Sequence, residues 1–190
     1  MSLLLIGLVL FFVPHSLSIV NENLRNRCAA RLGELGWKGV YTIVSLLGLV
    51  LMIKGYGEAR FSSAVLYTPP SALRHLSMLL MLFVFPLIVA TYFPGRIKAF
   101  LKHPMLIATL LWGLAHLMLR GRAADVLLFG SFAVWALLDL LSMRSRKQRA
   151  IVTMPTSSWN DMVAIVIGLA IYGAFIFKVH FWVTGIPLIP

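Results

Sequence analysis

The chain has 190 residues, 60% of them hydrophobic and 12% charged, with a mean hydropathy of +0.91. That balance excludes an ordinary soluble domain, because too few polar residues exist to cover one. The formal net charge of +11 comes with no basic motif interleaved with aromatics, so no nucleic-acid partner is expected.

Six apolar stretches of roughly 17–22 residues are each long enough to cross ~30 Å of hydrocarbon as a helix. They run over 2–20, 38–57, 72–93, 103–119, 123–141 and 161–183. None alternates, so helices rather than barrel strands satisfy the backbone in lipid. The expected fold is all-α: one polytopic membrane helix bundle of about six transmembrane helices, filling a single domain over 1–190.

Span one has no Lys or Arg before it and no small-residue cleavage site after it, and reads as a retained helix. Inside it, Pro14 frees a backbone carbonyl and bends the helix, with His15, Ser16 and Ser18 beside the bend. Residues 21–35 alternate Arg25, Arg27 and Arg31 with Leu24, Cys28, Leu32 and Leu35 at roughly helical spacing. They form either an interfacial amphipathic helix or a polar extension of span one. Cys28 is the one cysteine, which excludes an intrachain disulfide. Pro69, Pro70 and Ser71 punctuate the start of span three. Pro94 and Gly95 end it, and Pro104 opens span four at a first-turn position. In span five Asp139 follows Trp135 by one turn, and Arg146 is placed for an ion pair with it. Ser157, Ser158 and Asn160 are candidate caps for span six.

The cations fall mostly on one side. Arg25, Arg27, Arg31, Lys38, Arg96, Lys98, Lys102, Arg144, Arg146, Lys147 and Arg149 lie in the odd-numbered loops; Lys54, Arg60, Arg74, Arg120 and Arg122 lie in the even ones. The positive-inside bias puts the odd loops in the cytoplasm and both termini outside, in the periplasm of a bacterial inner membrane. The excess charge reads as contact with anionic membrane lipids.

Histidine is the chemically telling residue. His15, His75, His103, His116 and His180 all fall in or at the ends of apolar spans. Ionisable groups at membrane depth are costly and are functional-site candidates by default. Imidazole is also a common ligand for metals and haem. Span four, KHPMLIATLLWGLAHLMLRGR, carries Thr109, Trp112, Gly113, His116 and Arg120 on one helical face. That face offers a ligand, a flat ring, a gap and a cation, which suits haem: imidazole for iron, glycine for the porphyrin, arginine for a propionate. Equally, Gly113 serves helix packing and His116 bonds to a neighbouring helix. His103 is either a cofactor contact or a helix-boundary residue, and the same choice holds for His75 and His180. No acid pair, Ser-His-Asp set, P-loop or dinucleotide fingerprint is present.

GLVLFFVPHSLSIV at the N-terminus, the span-four sequence, FGSFAVWALLD after it and the final HFWVTGIPLI resemble the NnrU family of membrane proteins over essentially the whole chain. The family takes its name from nitric oxide metabolism in denitrifying bacteria. The chain is also similar to plant zeta-carotene isomerases, haem b membrane enzymes acting on a cis double bond of a lipophilic carotenoid precursor. That resemblance implies haem b as cofactor, with His15 and His116 as axial ligands and Trp112 and Gly113 in the motif that carries His116; Arg120 and His103 are added to the candidate site by their place on span four. It implies redox or isomerase-like chemistry; a non-catalytic accessory, sensor or small transporter is the alternative. Gly113 stands where the isomerases have a cysteine used in a redox-linked ligand exchange, so that exchange cannot operate in the same way.

Depth sets a further expectation. His15 lies ~20 Å from the outer start of span one, and His116 ~20 Å from the inner start of span four. Across ~30 Å of hydrocarbon in an upright bundle, their depths differ by ~10 Å. Depth alone pairs His15 with His103, and His116 with His75 or His180.

Overall fold

Apolar side chains at almost every position leave a chain only its own backbone for hydrogen bonding, and helices follow. The computed structural model describes residues 1–146, 149 and 151–189. Its helices are α1 (Ser2–Val20), α2 (Glu22–Ser62), α3 (Leu73–Tyr92), α4 (Arg96–Leu101), α5 (Pro104–Leu117), α6 (Ala123–Ser142), α7 (Asn160–Ala174) and α8 (His180–Thr184). A π-helical turn, Phe175–Val179, joins α7 to α8. Five of the helical stretches are long and apolar enough to cross a membrane, and the protein is an all-α membrane helix bundle.

Three elements differ from the sequence reading. Span two begins earlier than expected: α2 is two helical stretches, 22–32 and 34–62, joined by a kink, with Asn21 Oδ1 accepting from Leu24 N at 2.9 Å at the start of the first. Its one non-helical residue is Gly33, at φ 72° and ψ 158°. A left-handed φ of this kind suits glycine, so the bend is written at a single residue. Span four is shorter than expected. α5 has 14 residues, about 21 Å at 1.5 Å per residue, because the loop after α2 takes over its C-terminal carbonyls. Tyr67 Oη donates to Leu117 O at 2.6 Å and to Arg120 O at 2.9 Å, and Leu66 N donates to Gly121 O at 2.8 Å. Span six starts one residue later than the serine candidates, with Ser157 Oγ accepting from Trp159 N at 3.3 Å. Trp159 is its N-cap without a side-chain bond, while Asn160 Nδ2 ties to Pro94 O and Pro155 O at 2.8 and 2.9 Å. Pro104 does sit in the first turn of α5.

Small residues set the packing. α1 and α2 form an antiparallel pair whose backbones touch. A Cβ at Gly48 would lie 2.6 Å from Phe11 N and 2.9 Å from Gly7 O. Leu4, Leu8, Met52, Ala59 and Ala124 make the buried core where α1, α2 and α6 meet. α6 then packs on α5, α5 on α3, and α3 on α7. The far end of the last span returns to α2, where Arg60 Nη1 donates to Thr184 O at 2.7 Å.

The loops sort into two ends. At one end, Arg149 bonds to Ser18, Glu22 and Asn26. There Asp161 accepts from Arg96 N and Ile97 N at 2.9 and 3.0 Å, and Met154 N donates to Tyr92 O. At the other end Ala123 N donates to Ala64 O, and Arg74 bonds to Leu188 O. The odd-numbered loops therefore share one end and the even-numbered loops the other, as alternating crossings require. Lys147 of the polybasic segment lies outside the described residues.

Gly48→Val is expected to destabilise the bundle by roughly 1–3 kcal/mol or more, since backbone cannot yield to the new methyls. Gly57→Ala, where nothing lies within 4 Å, is expected to leave stability unchanged or to raise it by up to about 1 kcal/mol, since alanine is the better helix former. Thermal unfolding in mild detergent compares the two; equal melting temperatures would refute the close approach.

Candidate functional site

Trp112, Gly113 and His116 share one face of α5, as the spacing predicts, and that face is turned onto α6. His116 stacks on Phe129 with ring centroids 4.4 Å apart. Trp112 meets Phe129 at 4.9 Å and Phe132 at 5.4 Å, both edge-on. Gly113 permits this contact: a Cβ there would lie 2.7 Å from Phe129 O and 3.0 Å from Ala133 Cβ. Its glycine is thus used for helix packing.

His116 Nδ1 bonds to Trp112 O at 2.8 Å. A carbonyl only accepts, so Nδ1 carries the proton and Nε2 keeps its lone pair. His15 is built the same way. Its Nδ1 bonds to Phe11 O at 2.6 Å, and its ring stacks on Phe11 at 4.1 Å. In both cases the bond runs back one helical turn, so the tautomer is set within the helix itself. This is the second-sphere arrangement that orients a ligating imidazole.

The two histidines stand at different levels. Phe129 of α6 faces His116, and Trp135 of α6 faces His15 at 5.8 Å. Six residues separate these positions, or about 9 Å along the helix axis. Phe132 fills the interval, 5.4 Å from Phe11, 5.0 Å from Phe12 and 5.4 Å from Trp112. Iron–nitrogen bonds of about 2 Å bring two axial nitrogens within about 4 Å of each other, comparable with other metal–imidazole bonds. The donor chemistry of each histidine fits haem iron; the pair on a single iron does not fit this arrangement.

Around His116 the polar neighbours come from the even-loop end. Asp125 is 2% exposed. It accepts from Tyr56 Oη at 2.8 Å and from Arg122 N at 3.1 Å. Arg120 lies beyond the end of α5, within charge range of both His116 and Tyr56. It lines a shallow pocket of about 230 Å³ with Tyr67, Thr68, Pro69 and Asp125. Arg120 makes no side-chain hydrogen bond among the described residues, which leaves its guanidinium available to an anionic group. His180, on α8, is also in charge range of His116. Its Nδ1 bonds to Ile186 O at 2.8 Å. His75 is exposed.

Around His15 the neighbours come from the opposite end. Tyr41 approaches it at 4.9 Å. Asp139, one turn beyond Trp135, pairs with Arg146 as the sequence suggests, both side chains 9% exposed. Ser142 Oγ adds a bond to Asp139 at 3.1 Å. His103 sits at the N-cap of α5 within charge range of Asp139, Lys102 and Arg146. Burial holds its imidazole below the ordinary value; Asp139 opposes the shift, and Lys102 and Arg146 add to it.

Sequence reasoning passed over Asp125, Tyr56, Tyr41 and Ser45. Asp125 carried one usable signal, its place three residues after Arg122 at a helix start. Tyr56 lies 69 positions from its partner, and no local pattern announces such a bond. Among the described residues, no group of three or more His, Cys, Asp or Glu side chains is placed to hold a metal ion.

A family model described as NnrU protein matches residues 3–188. No curated protein and no solved structure matches the chain.

His103 generates a pH dependence with a definite sign. Its folded-state pKa lies below the unfolded value, so the stability it contributes is present above about pH 6.5 and is lost as pH falls through the folded value. Melting temperatures in detergent are expected to fall on acidification below that point, and less steeply for His103→Gln. An identical acid limb in the variant would refute the assignment.

Proposed function

The chain belongs to the NnrU family, and on that premise we propose that it is a haem b-binding membrane protein in which His116 is the protein ligand of iron. The observation that carries this reading is the Nδ1 bond of His116 to Trp112 O, which leaves Nε2 unprotonated inside an aromatic wall at membrane depth. Phe129 and Trp112 hold the ring from two sides. Arg120, whose side chain makes no hydrogen bond among the described residues, would take a propionate. No C-x-x-C-H attachment site exists in the sequence, so the haem is held without covalent bonds. When bound, haem b supplies one-electron redox chemistry and an iron face for small ligands. Such chemistry suits the nitric oxide metabolism for which the family is named.

Isomerase-like chemistry of the zeta-carotene type is the weaker part of the reading. Gly113 replaces the cysteine, and a side chain there meets Phe129 O. No conversion of the tri-cis carotenoid precursor is expected in cells supplied with it under reducing conditions. Turnover comparable with the plant enzyme would contradict this.

The bulk test is an absorption spectrum after expression with ample haem and purification in mild detergent. A Soret band and a b-type pyridine haemochrome are expected. His116→Ala should lose the band or change the iron spin state, while His15→Ala should retain haem. A colourless wild-type protein would sink the reading.

Orientation follows from charge. The end carrying Arg25, Arg96, Lys98, Arg144 and Arg146 belongs in the cytoplasm, which places both termini and the Arg120 pocket on the periplasmic side of a bacterial inner membrane. A phosphatase fusion after Pro190 should be active and a cytoplasmic reporter there inactive. The reverse pattern would overturn the orientation.

A further inference from the structure

Four side-chain atoms among the described residues are buried without a hydrogen-bond partner: Ser45 Oγ, Arg60 Nε, Trp135 Nε1 and Arg146 Nε. Three of them gather at the His15 end of the bundle. Trp135 contacts His15 and Phe12, at 5.8 Å in each case. Arg146 pairs with Asp139, one turn beyond Trp135 on α6. Ser45 lies on α2 one turn after Tyr41, whose ring meets His15 at 4.9 Å. It also lies three residues before Gly48, which touches Phe11 N.

A buried indole N–H or hydroxyl without a partner carries its full desolvation penalty. In a bilayer no bulk water relieves it. An unmet donor at this depth therefore needs an explanation, and two on helices that both carry a ring against one imidazole ask for an acceptor from outside the chain. We propose that Trp135, Ser45 and His15 form a bilayer-accessible site for a lipid-borne carbonyl group, with a quinone headgroup as its occupant.

The chemistry selects among lipids. Trp135 Nε1–H and Ser45 Oγ–H donate, so the ligand must present an oxygen acceptor. A pure hydrocarbon has none. His15 Nε2 has a lone pair, because Nδ1 gives its proton to Phe11 O, so it accepts from a hydroxyl. One headgroup that both accepts and donates in these places is the quinone in its oxidised and reduced forms. Phe11, Phe12, Tyr41 and Trp135 supply a wall of rings for a flat ligand. His15, Tyr41 and Trp135 are each part-exposed in the bundle, so the ring wall reaches lipid while the two donors lie buried behind it. The acyl ester of a phospholipid carries the same carbonyl oxygen and is the other source of this chemistry. The site stands independently of haem at His116, since it uses different side chains about 9 Å away along α6.

The test reads the hydrogen-bonding state of the Trp135 indole N–H by ultraviolet resonance Raman, as the difference between wild type and Trp135→Phe. The phenyl ring keeps the contact with Phe12 and removes only the donor and part of the ring. The protein is placed in nanodiscs of ether-linked phospholipid, which have no ester carbonyl, and titrated with decylubiquinone. An unbonded N–H that becomes bonded saturably is expected, with affinity lower by about tenfold in Ser45→Ala, the equivalent of one hydrogen bond; His15→Phe is expected to weaken by the same factor only the binding of the reduced decylubiquinol, whose hydroxyl donates to Nε2. A bonded N–H in ester-linked nanodiscs without quinone supports the carbonyl site and assigns the phospholipid as its source. An N–H already bonded in ether-linked nanodiscs without quinone would overturn the proposal, as would one that stays unbonded with both quinone and ester lipid. Should Trp135→Phe fail to fold, indole ¹⁵N resonances of the wild type, assigned by replacing each of the other four tryptophans, give the same readout.

Discussion

Everything in this molecule turns on how a polar group is satisfied where there is no water. The two histidines on the aromatic ladder solve the problem within their own helices, each bonding Nδ1 to the carbonyl one turn back. That local bond leaves Nε2 uncommitted at membrane depth. Serine and threonine do likewise: Thr109 Oγ1 bonds to Met105 O and Thr91 Oγ1 to Leu87 O. Trp135 Nε1 and Ser45 Oγ are among the buried groups that local bonds do not satisfy.

α6 is the element that holds the two imidazoles apart. Its Phe129, Phe132 and Trp135 touch His116, Trp112, Phe11, Phe12 and His15 in ascending order along the helix. The glycines make the touching possible. Gly113 brings α5 onto Phe129 and Ala133, and Gly48 brings α2 onto α1. Aromatic contacts of this kind contribute about 0.5–1.5 kcal/mol each beyond buried area. In lipid, where burial between helices gains little, packing and such contacts carry the association. The ladder is thus both the seam of the bundle and the spacer between the two imidazoles.

Hydropathy and charge made the spans and the sorting of the loops legible, because both follow from the bilayer itself. The Asp139–Arg146 pair and the Pro104 start of α5 were legible from local spacing. The level difference between His15 and His116 was legible too, from rise per residue alone. What the sequence hid has physical causes. The shortening of α5 depends on Tyr67 reaching carbonyls 50 and 53 positions away. The kink that divides residues 22–62 into two helical stretches depends on Gly33 adopting a single left-handed φ. The π-helical turn at Phe175–Val179 has no signature in composition. Of the candidate site, the residue types on span four were readable, but the direction they face was not. Only the packing of α5 on α6 shows that Gly113 opens onto Phe129.

The central claim is that each of the two membrane-embedded histidines holds its proton on Nδ1 and keeps Nε2 free. Solid-state ¹⁵N spectra of histidine-labelled protein in liposomes test it most directly, with His15→Gln and His116→Gln assigning the signals. A protonated Nδ1 and a bare Nε2 at both positions is the predicted result. A bare Nδ1 at either position, or a doubly protonated ring, would contradict the account.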